Sequence, residues 1–172
     1  MEKDFVENYN QLSTHKWKVL IKRAKSFEFF AKKFTTPDVQ LPKVSQPTPF
    51  RNLPLTGDHL EYGDFSVSFI VDEDLNNYRE ILSWIRDIGR SRTSTQYKDL
   101  KEKNKSFEDN GIYSEISIFS MTNTGNPNKV ITFSKAFPIF IKGLDFDIDV
   151  DTTHISELTV SFAYSEFEIE DA

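Results

Sequence analysis

The chain has 172 residues, of which 38% are hydrophobic and 14% aromatic, and its net charge is -6. This length and composition predict a single folded domain over residues 1–172 and exclude a disordered chain. The absence of cysteine excludes disulfide frameworks, thiolate metal sites and cysteine nucleophiles. No apolar run approaches the roughly 18 residues of a membrane span, and the start lacks the order of a signal peptide, so we expect a soluble protein that is not conventionally secreted.

Charge is distributed unevenly along the chain. Residues 1–142 have a net charge of +3, whereas the last 30 residues contain nine acidic residues and no basic one. Basic residues are densest from Lys16 to Lys33. The acidic total argues against sequence-independent binding of nucleic acid. Two interpretations of the basic segment stay open: a solvated face, or one pole of a head-to-tail association.

The first predicted elements are short. Residues 1–14 form a polar N-terminal arm, which we expect to be frayed or briefly helical. In residues 15–33, aromatic and β-branched residues favour two strands with a turn near residues 24–26, and a basic amphipathic helix stays open as the alternative. In the strand interpretation, Trp17, Val19 and Ile21 would share one face, and Phe27 and Phe29 another.

Residues 35–64 contain five of the seven prolines. Because proline lacks an amide donor and restricts the residue before it, this stretch is predicted to be extended, with edge strands or bulges at most. A loop of this length inside one domain is uncommon unless it contacts a partner. An interface loop and a crossover on the domain's own surface both stay open.

A strand followed by a helix forms the clearest local pattern. Residues 65–71 alternate as a half-buried strand, Asp72 is the predicted N-cap with acids in the first turn, and Gly89 is the predicted C-terminal stop. Trp84 is expected to anchor this helix to the core. With the last predicted strand, the core candidates are Phe65, Val67, Phe69, Leu75, Tyr78, Ile81, Leu82, Ile85, Val160 and Phe162.

The remainder of the chain predicts a mainly antiparallel sheet. Residues 90–111 are polar and predict a charged mobile loop. Strands over 112–121 and 129–136 flank a run of turn residues and predict a hairpin. After Phe137 and Pro138, further strands are expected over 139–151 and 155–169. Six or seven strands with hairpin-scale connections and one helix predict an α+β fold, mainly antiparallel β.

No catalytic or metal site is predicted. The three histidines, His15, His59 and His154, lie far apart in polar segments, and no glycine-rich phosphate loop is present. Aspartates alternate with apolar residues over 145–151, but the glycine and glutamate of a calcium loop are missing. We therefore expect no enzyme activity and no cofactor, and we place these carboxylates on one solvated face of a strand.

Several segments resemble a known family in their order and spacing. FPIFIKGLDFDIDVD, followed by ISELTVSFAYSEFEI, resembles the C-terminal half of tail tube proteins of contractile-tailed (T4-like) bacteriophages. Upstream, PDVQLPKV and LTGDHLEYGDFSVSFIVDEDLNNYREILSWI are similar to that family's loop, turn, strand and helix. The resemblance covers residues 15–89 and 130–169, and it leaves the N-terminal arm and the loop over 90–110 unaligned.

The resemblance implies a β-sandwich or incomplete barrel with one flanking helix, assembled into stacked hexameric rings. Neighbouring subunits would join their sheets into a continuous barrel around a lumen through which DNA passes. The implied inter-subunit or inter-ring candidates are Pro42, Pro47, Pro49, Phe50, Leu53, Asp58 and Tyr62. The lumen-facing candidates are Asp145, Asp147, Asp149 and Asp151, with an acidic outer surface as the open alternative.

The function that follows from the resemblance is structural. We expect a tail tube subunit of the virion, assembled in the host cytoplasm, whose partners are itself, the tail sheath, the baseplate and DNA that passes without specific binding. The alternatives are a baseplate initiator or hub, a tail terminator, and a bacterial secretion-system tube protein of the same fold. A monomeric ligand-binding β-domain stays open as a different class.

Overall fold

The computed structural model describes residues 15–24, 28, 30–89, 112–146 and 155–172. The predictions for residues 1–14, 27, 29, 90–111 and 147–154 lie outside them. Eleven strands and one helix lie within the described residues: β1 (Trp17–Ile21), β2 (Ala31–Thr35), β3 (Val39–Gln40), β4 (Lys43–Pro47), β5 (Asn52–Thr56), β6 (Glu61–Tyr62), β7 (Phe65–Ile70), α1 (Asn76–Gly89), β8 (Ser114–Met121), β9 (Pro127–Ile141), β10 (Glu157–Ala163) and β11 (Glu166–Asp171).

Seven strands form one open sheet. The sheet has two layers, and β9 is long enough to belong to both of them. The first half of β9 pairs with β8 and β11, and its second half pairs with β10. Lys135 lies between the halves with a φ of 51°, a left-handed conformation that redirects the strand. The first layer has the order β1–β8–β9–β11 and the second layer β9–β10–β7–β2, with every neighbouring pair antiparallel. The prediction of a mainly antiparallel α+β fold is confirmed.

Two predicted strand boundaries were wrong. The chain does not break at Phe137 and Pro138, because Pro138 lies opposite Phe162 where the register of β10 shifts, and such a bulge tolerates a missing amide. The strand expected over 155–169 is two strands, β10 and β11. Between them the Ser165 amide donates to the Ser134 carbonyl, N···O 3.1 Å, and the chain crosses from the second layer to the first.

The start of the helix was also predicted too early. Residues 72–75 form a turn closed by the Leu75 amide and the Asp72 carbonyl, N···O 2.9 Å. Leu75 has a φ of 56°, which excludes it from a right-handed helix, so the first helical residue is Asn76. The side-chain oxygen of Asn77 accepts from the Asp72 amide at 3.3 Å, so the predicted N-cap instead donates to the helix.

The core lies between the two layers. Phe65 on β7 stacks on Phe133 of β9 with ring centroids 4.1 Å apart, and on Phe162 of β10 at 5.3 Å. Phe34 of β2 contacts both Phe65 and Phe133, with ring centroids 6.1 Å from each. Among the core candidates, Phe65, Val67, Phe69, Ile81, Val160 and Phe162 are buried, Tyr78 and Ile85 pack half-buried against them, and Leu75 and Leu82 are partly exposed.

The helix is attached to the sheet through Trp84, which is buried. Its indole N–H donates to the carbonyl of Ile112, N···O 2.9 Å, and its ring lies under the Arg23 guanidinium at 5.1 Å. Arg23 also donates to the Asp87 carboxylate at 2.9 Å. Burial lowers the pKa of Arg23, while Asp87 and Glu80 oppose this shift. Arg23 keeps its proton despite this shift, because the pKa of a guanidinium is very high. Its ion pair with Asp87 therefore holds the helix against the end of β1.

We expect Phe65→Ala to lower the free energy of unfolding by about 3–5 kcal/mol, because it removes the ring that stacks on two others in the sealed core. The matched control is Phe140→Ala, whose ring is 56% exposed and should cost about 0.5 kcal/mol or less. Urea unfolding of the monomer measures both. Equal losses in the two variants would contradict this description of the core.

Candidate assembly surface

Residues 38–63 form a two-stranded β-ribbon, called here the ribbon. Its root is the pairing of β3 with β6, and its outer part is the hairpin of β4 and β5. The two parts are continuous, because the amide of Gly57 donates to the carbonyl of Pro42 at 2.7 Å. At the root, the Gly63 amide donates to the Asp38 carbonyl at 2.8 Å. The stretch predicted as a loop is therefore an ordered ribbon.

The ribbon leaves large apolar side chains exposed. Phe50, in the turn between β4 and β5, is 97% exposed. Val44 lies opposite Leu55 in the register of the hairpin, so the two share one face, and both are about half exposed. Isolated exposed apolar residues are ordinary, but a set of this size on one element is typical of an interaction site. The set is Val39, Leu41, Val44, Phe50, Leu55, Leu60 and Tyr62.

The root of the ribbon is fixed to the body by aromatic contacts. Tyr62 contacts Tyr164 at a centroid distance of 6.1 Å and Phe167 at 5.9 Å. Both of these rings contact Phe133 in the core. Burial raises the pKa of Tyr164, with smaller contributions from Tyr62 and Asp64. The ribbon therefore starts from a cluster of aromatic side chains on the body.

All seven predicted interface residues lie in the ribbon. Pro47 occupies the last position of β4, and the turn places Pro49 beside Phe50, with both exposed. The other members fall into two groups: Asp58 and Tyr62 are exposed, whereas Pro42 and Leu53 are half-buried. The structure therefore brings these residues into one element, with Phe50 at its end.

The lumen candidates are only partly described. Asp145 is exposed just beyond β9, and Asp147, Asp149 and Asp151 lie outside the described residues. β9 ends at Ile141, so Asp145 itself is not in a strand, in contrast to the prediction.

A second exposed apolar group escaped the sequence analysis. Ile139 and Phe140 on β9 are 44% and 56% exposed, and Phe146 and Ile155 beyond it are also exposed. The sequence predicted a strand from residue 139 onward, but none of these four residues was named as a candidate for the core or for an interface. The second half of β9 is the outer strand of its layer, which explains the exposure.

Metal-ligating clusters and membrane-spanning helices are absent from the described residues. Within residues 15–24, 28, 30–89, 112–146 and 155–172, no three His, Asp or Glu side chains lie close enough to hold a metal ion. His59 is exposed, with its nearest carboxylate, Glu61, at 3.7 Å. In the same part of the chain, no helix has the length and apolar character needed to cross a membrane.

The comparison with family models decides the identity of the chain. The model of the phage tail tube protein family matches residues 5–170. The chain belongs to this family. Its members are structural proteins of the tail tube, which confirms the resemblance that the sequence motifs indicated. No match is found among curated proteins.

Solved structures with the same fold come from contractile injection systems. A chain of the PVC extracellular contractile injection system, in its extended sheath–tube complex, has a TM-score of 0.67 at 11% identity, covering 95% of this chain and 94% of that one. A chain of the anti-feeding prophage baseplate, 6-fold symmetrised, has a TM-score of 0.64 at 14% identity, covering 95% and 97%. The PVC sheath/tube terminator has a TM-score of 0.64 at 12% identity, covering 96% and 99%.

We expect Gly57→Ala to loosen the ribbon without unfolding the body. A Cβ at Gly57 would lie 2.3 Å from the Pro42 carbonyl oxygen, so the backbone must shift there, which should weaken the Gly57–Pro42 hydrogen bond that joins the two parts of the ribbon. Amide hydrogen exchange over residues 39–62 should become at least about tenfold faster, whereas exchange in β7 and β10 should not change.

Gly143→Ala is the matched control for this variant, because a Cβ at Gly143 meets no atom within 4 Å. Its exchange should equal that of the wild type. Unchanged exchange in the ribbon of Gly57→Ala would contradict the assigned geometry.

Proposed function

We propose that this chain is the subunit of a tail tube, which associates with copies of itself into six-fold rings that stack around a lumen through which DNA passes. The observation that carries the proposal is the ribbon, whose large apolar side chains are exposed, with Phe50 at its end 97% exposed. A second copy of the chain is the partner that a tube subunit meets most often.

The ribbon suits contact between rings. A two-stranded ribbon is marginally stable alone in water, and this one is tied to the body at its root by Tyr62. Burial of Phe50 against a neighbouring ring would contribute about 1.5–3 kcal/mol per subunit, repeated in every subunit of the ring. The family match and the similarity of fold to a chain of a sheath–tube complex support this role.

The lumen hypothesis rests on charge. The last 30 residues carry nine acidic residues and no basic one, and Asp145 is exposed. Carboxylates along a lumen would repel the phosphates of DNA and would keep it from binding to the wall. In this proposal the tail sheath and the baseplate are the other partners, the protein resides in the virion tail after assembly in the host cytoplasm, and it acts without catalysis or cofactor.

A second candidate is a ring-forming baseplate or terminator protein of the same fold. The similarity to a baseplate chain and to a sheath/tube terminator favours it, since both have TM-scores near that of the sheath–tube chain. Electron microscopy of the purified protein separates the two candidates. Long hollow filaments support the tube subunit, and single capped rings support the alternative.

We expect Phe50→Asp to shift assembly toward unstacked rings or monomers, since it places a charge where the ribbon would bury a ring against the next subunit. Light scattering and negative-stain microscopy should show at least about a tenfold rise in the concentration needed for filaments. Phe50→Leu is the control and should keep most filament formation. Filaments of Phe50→Asp at the wild-type concentration would overturn the role of the ribbon.

A further inference from the structure

The ribbon and the second exposed apolar group lie at opposite ends of β10. The root of the ribbon contacts Tyr164, which follows the last residue of that strand. At the other end, a groove opens between the end of β9 and the start of β10, called here the groove, and Ile155 of the second apolar group lines it. β10 has seven residues, so about 20 Å separate its two ends.

The groove has the size and the lining to hold one aromatic ring. Its volume is about 210 Å³, and Leu144 and Ile155 are among its lining residues. An apolar cavity of about 150 Å³ is enough to hold a benzene molecule. Ile155 is 56% exposed, so a ring placed over it would remove apolar surface from water.

Phe50 presents a ring of this kind. It is 97% exposed in the turn between β4 and β5, so it does not occupy the groove of its own chain. Two hydrogen bonds hold the turn: the Thr48 amide donates to the Arg51 carbonyl at 3.1 Å, and the Arg51 amide donates to the Thr48 hydroxyl at 3.2 Å. Because the turn is ordered before any contact forms, less conformational entropy is lost when the ring docks.

The charges beside the ring and beside the groove are complementary. Arg51 follows Phe50 and is exposed, and Asp145 lines the groove and is also exposed. Neither of these two charged side chains forms an ion pair with another described residue. Glu157 lines the groove too, but it already pairs with Lys32 within the chain. Asp145 is therefore the carboxylate that an incoming guanidinium would meet.

A stack of identical rings needs a different surface at each end. Such a stack repeats a heterologous contact, in which one surface of a copy meets another surface of the next copy. The ribbon and the groove meet this requirement, because they lie at opposite ends of β10. Contact between two ribbons would be isologous, so it would place two Arg51 side chains near each other and would end after two rings.

We propose that, in the stacked rings of the proposed function on which this inference rests, Phe50 of each copy docks into the groove of a copy in the next ring and Arg51 pairs with its Asp145. Asp145 then belongs to the contact between rings, and the lumen hypothesis rests on the other acidic residues of the last 30. The contact also gives the stack a direction, since the ribbon and the groove cannot exchange roles.

A charge exchange tests the pairing. Arg51→Asp and Asp145→Arg should each raise the protein concentration needed for filaments at least about tenfold, because like charges meet in every subunit of the ring. The double variant Arg51→Asp/Asp145→Arg should form filaments near the wild-type concentration. Its matched control, Lys43→Asp/Asp145→Arg, has the same net charge but removes a different exposed base of the ribbon, and it should not recover. Light scattering and negative-stain microscopy measure filaments, and circular dichroism checks folding.

Cross-linking locates the contact by a different readout. The chain has no cysteine, so Arg51→Cys with Asp145→Cys places its only two thiols at the proposed contact. Oxidation of the filaments should give covalent chains of many subunits in non-reducing electrophoresis, since each copy would bond to one copy in the ring above and one in the ring below. The controls are the two single cysteine variants, which should give no such chains.

The outcomes separate this inference from the proposed function. Wild-type filaments together with Asp145→Arg filaments at the wild-type concentration, or with no recovery in the charge-exchange variant, would overturn the groove contact and leave the tube proposal standing. Filaments of the double cysteine variant that stay monomeric after oxidation and denaturation would overturn it as well. Folded wild-type protein that forms no rings at any concentration would overturn the tube proposal itself.

Discussion

The stack of Phe65 on Phe133, with ring centroids 4.1 Å apart, is the contact on which the rest of the structure depends. Phe133 lies on the one strand that belongs to both layers, so its packing sets how the sheet folds over. From Phe133 the aromatic contacts continue through Tyr164 and Phe167 to Tyr62 at the root of the ribbon. The same cluster therefore holds the layers together and fixes the direction in which the ribbon leaves the body.

In this arrangement, backbone amide and carbonyl groups of the outer strands are unpaired, and apolar side chains of the ribbon are exposed. An open sheet has outer strands with unpaired amide and carbonyl groups, and proteins normally cover or disrupt such edges. Here β1 and β11 end the first layer without a covering element among the described residues, and the ribbon exposes Phe50 at its end. Repeated association with copies of the same chain would satisfy both, which is why a ring-forming tube subunit explains the fold better than a ligand-binding monomer.

The sequence predicted the fold class, the strand of Phe65 and the helix that ends at Gly89, because alternation and helical spacing are local patterns. It did not predict the corner at Lys135, since a left-handed conformation is uncommon for lysine and has no sequence signal. The sequence predicted a loop in place of the ribbon because of its prolines. Proline is tolerated in this hairpin because both of its strands are edge strands.

The central claim is that the ribbon and the open sheet edges are covered by other copies of this chain. A cryo-electron microscopy map of the assembled protein, at a resolution that shows side chains, tests it most directly. The account predicts stacked rings in which Phe50 is buried against the adjacent ring and the outer strands of the first layer are covered by neighbouring copies. Particles in which the ribbon folds back on its own subunit, with both edges of the first layer exposed to solvent, would contradict it.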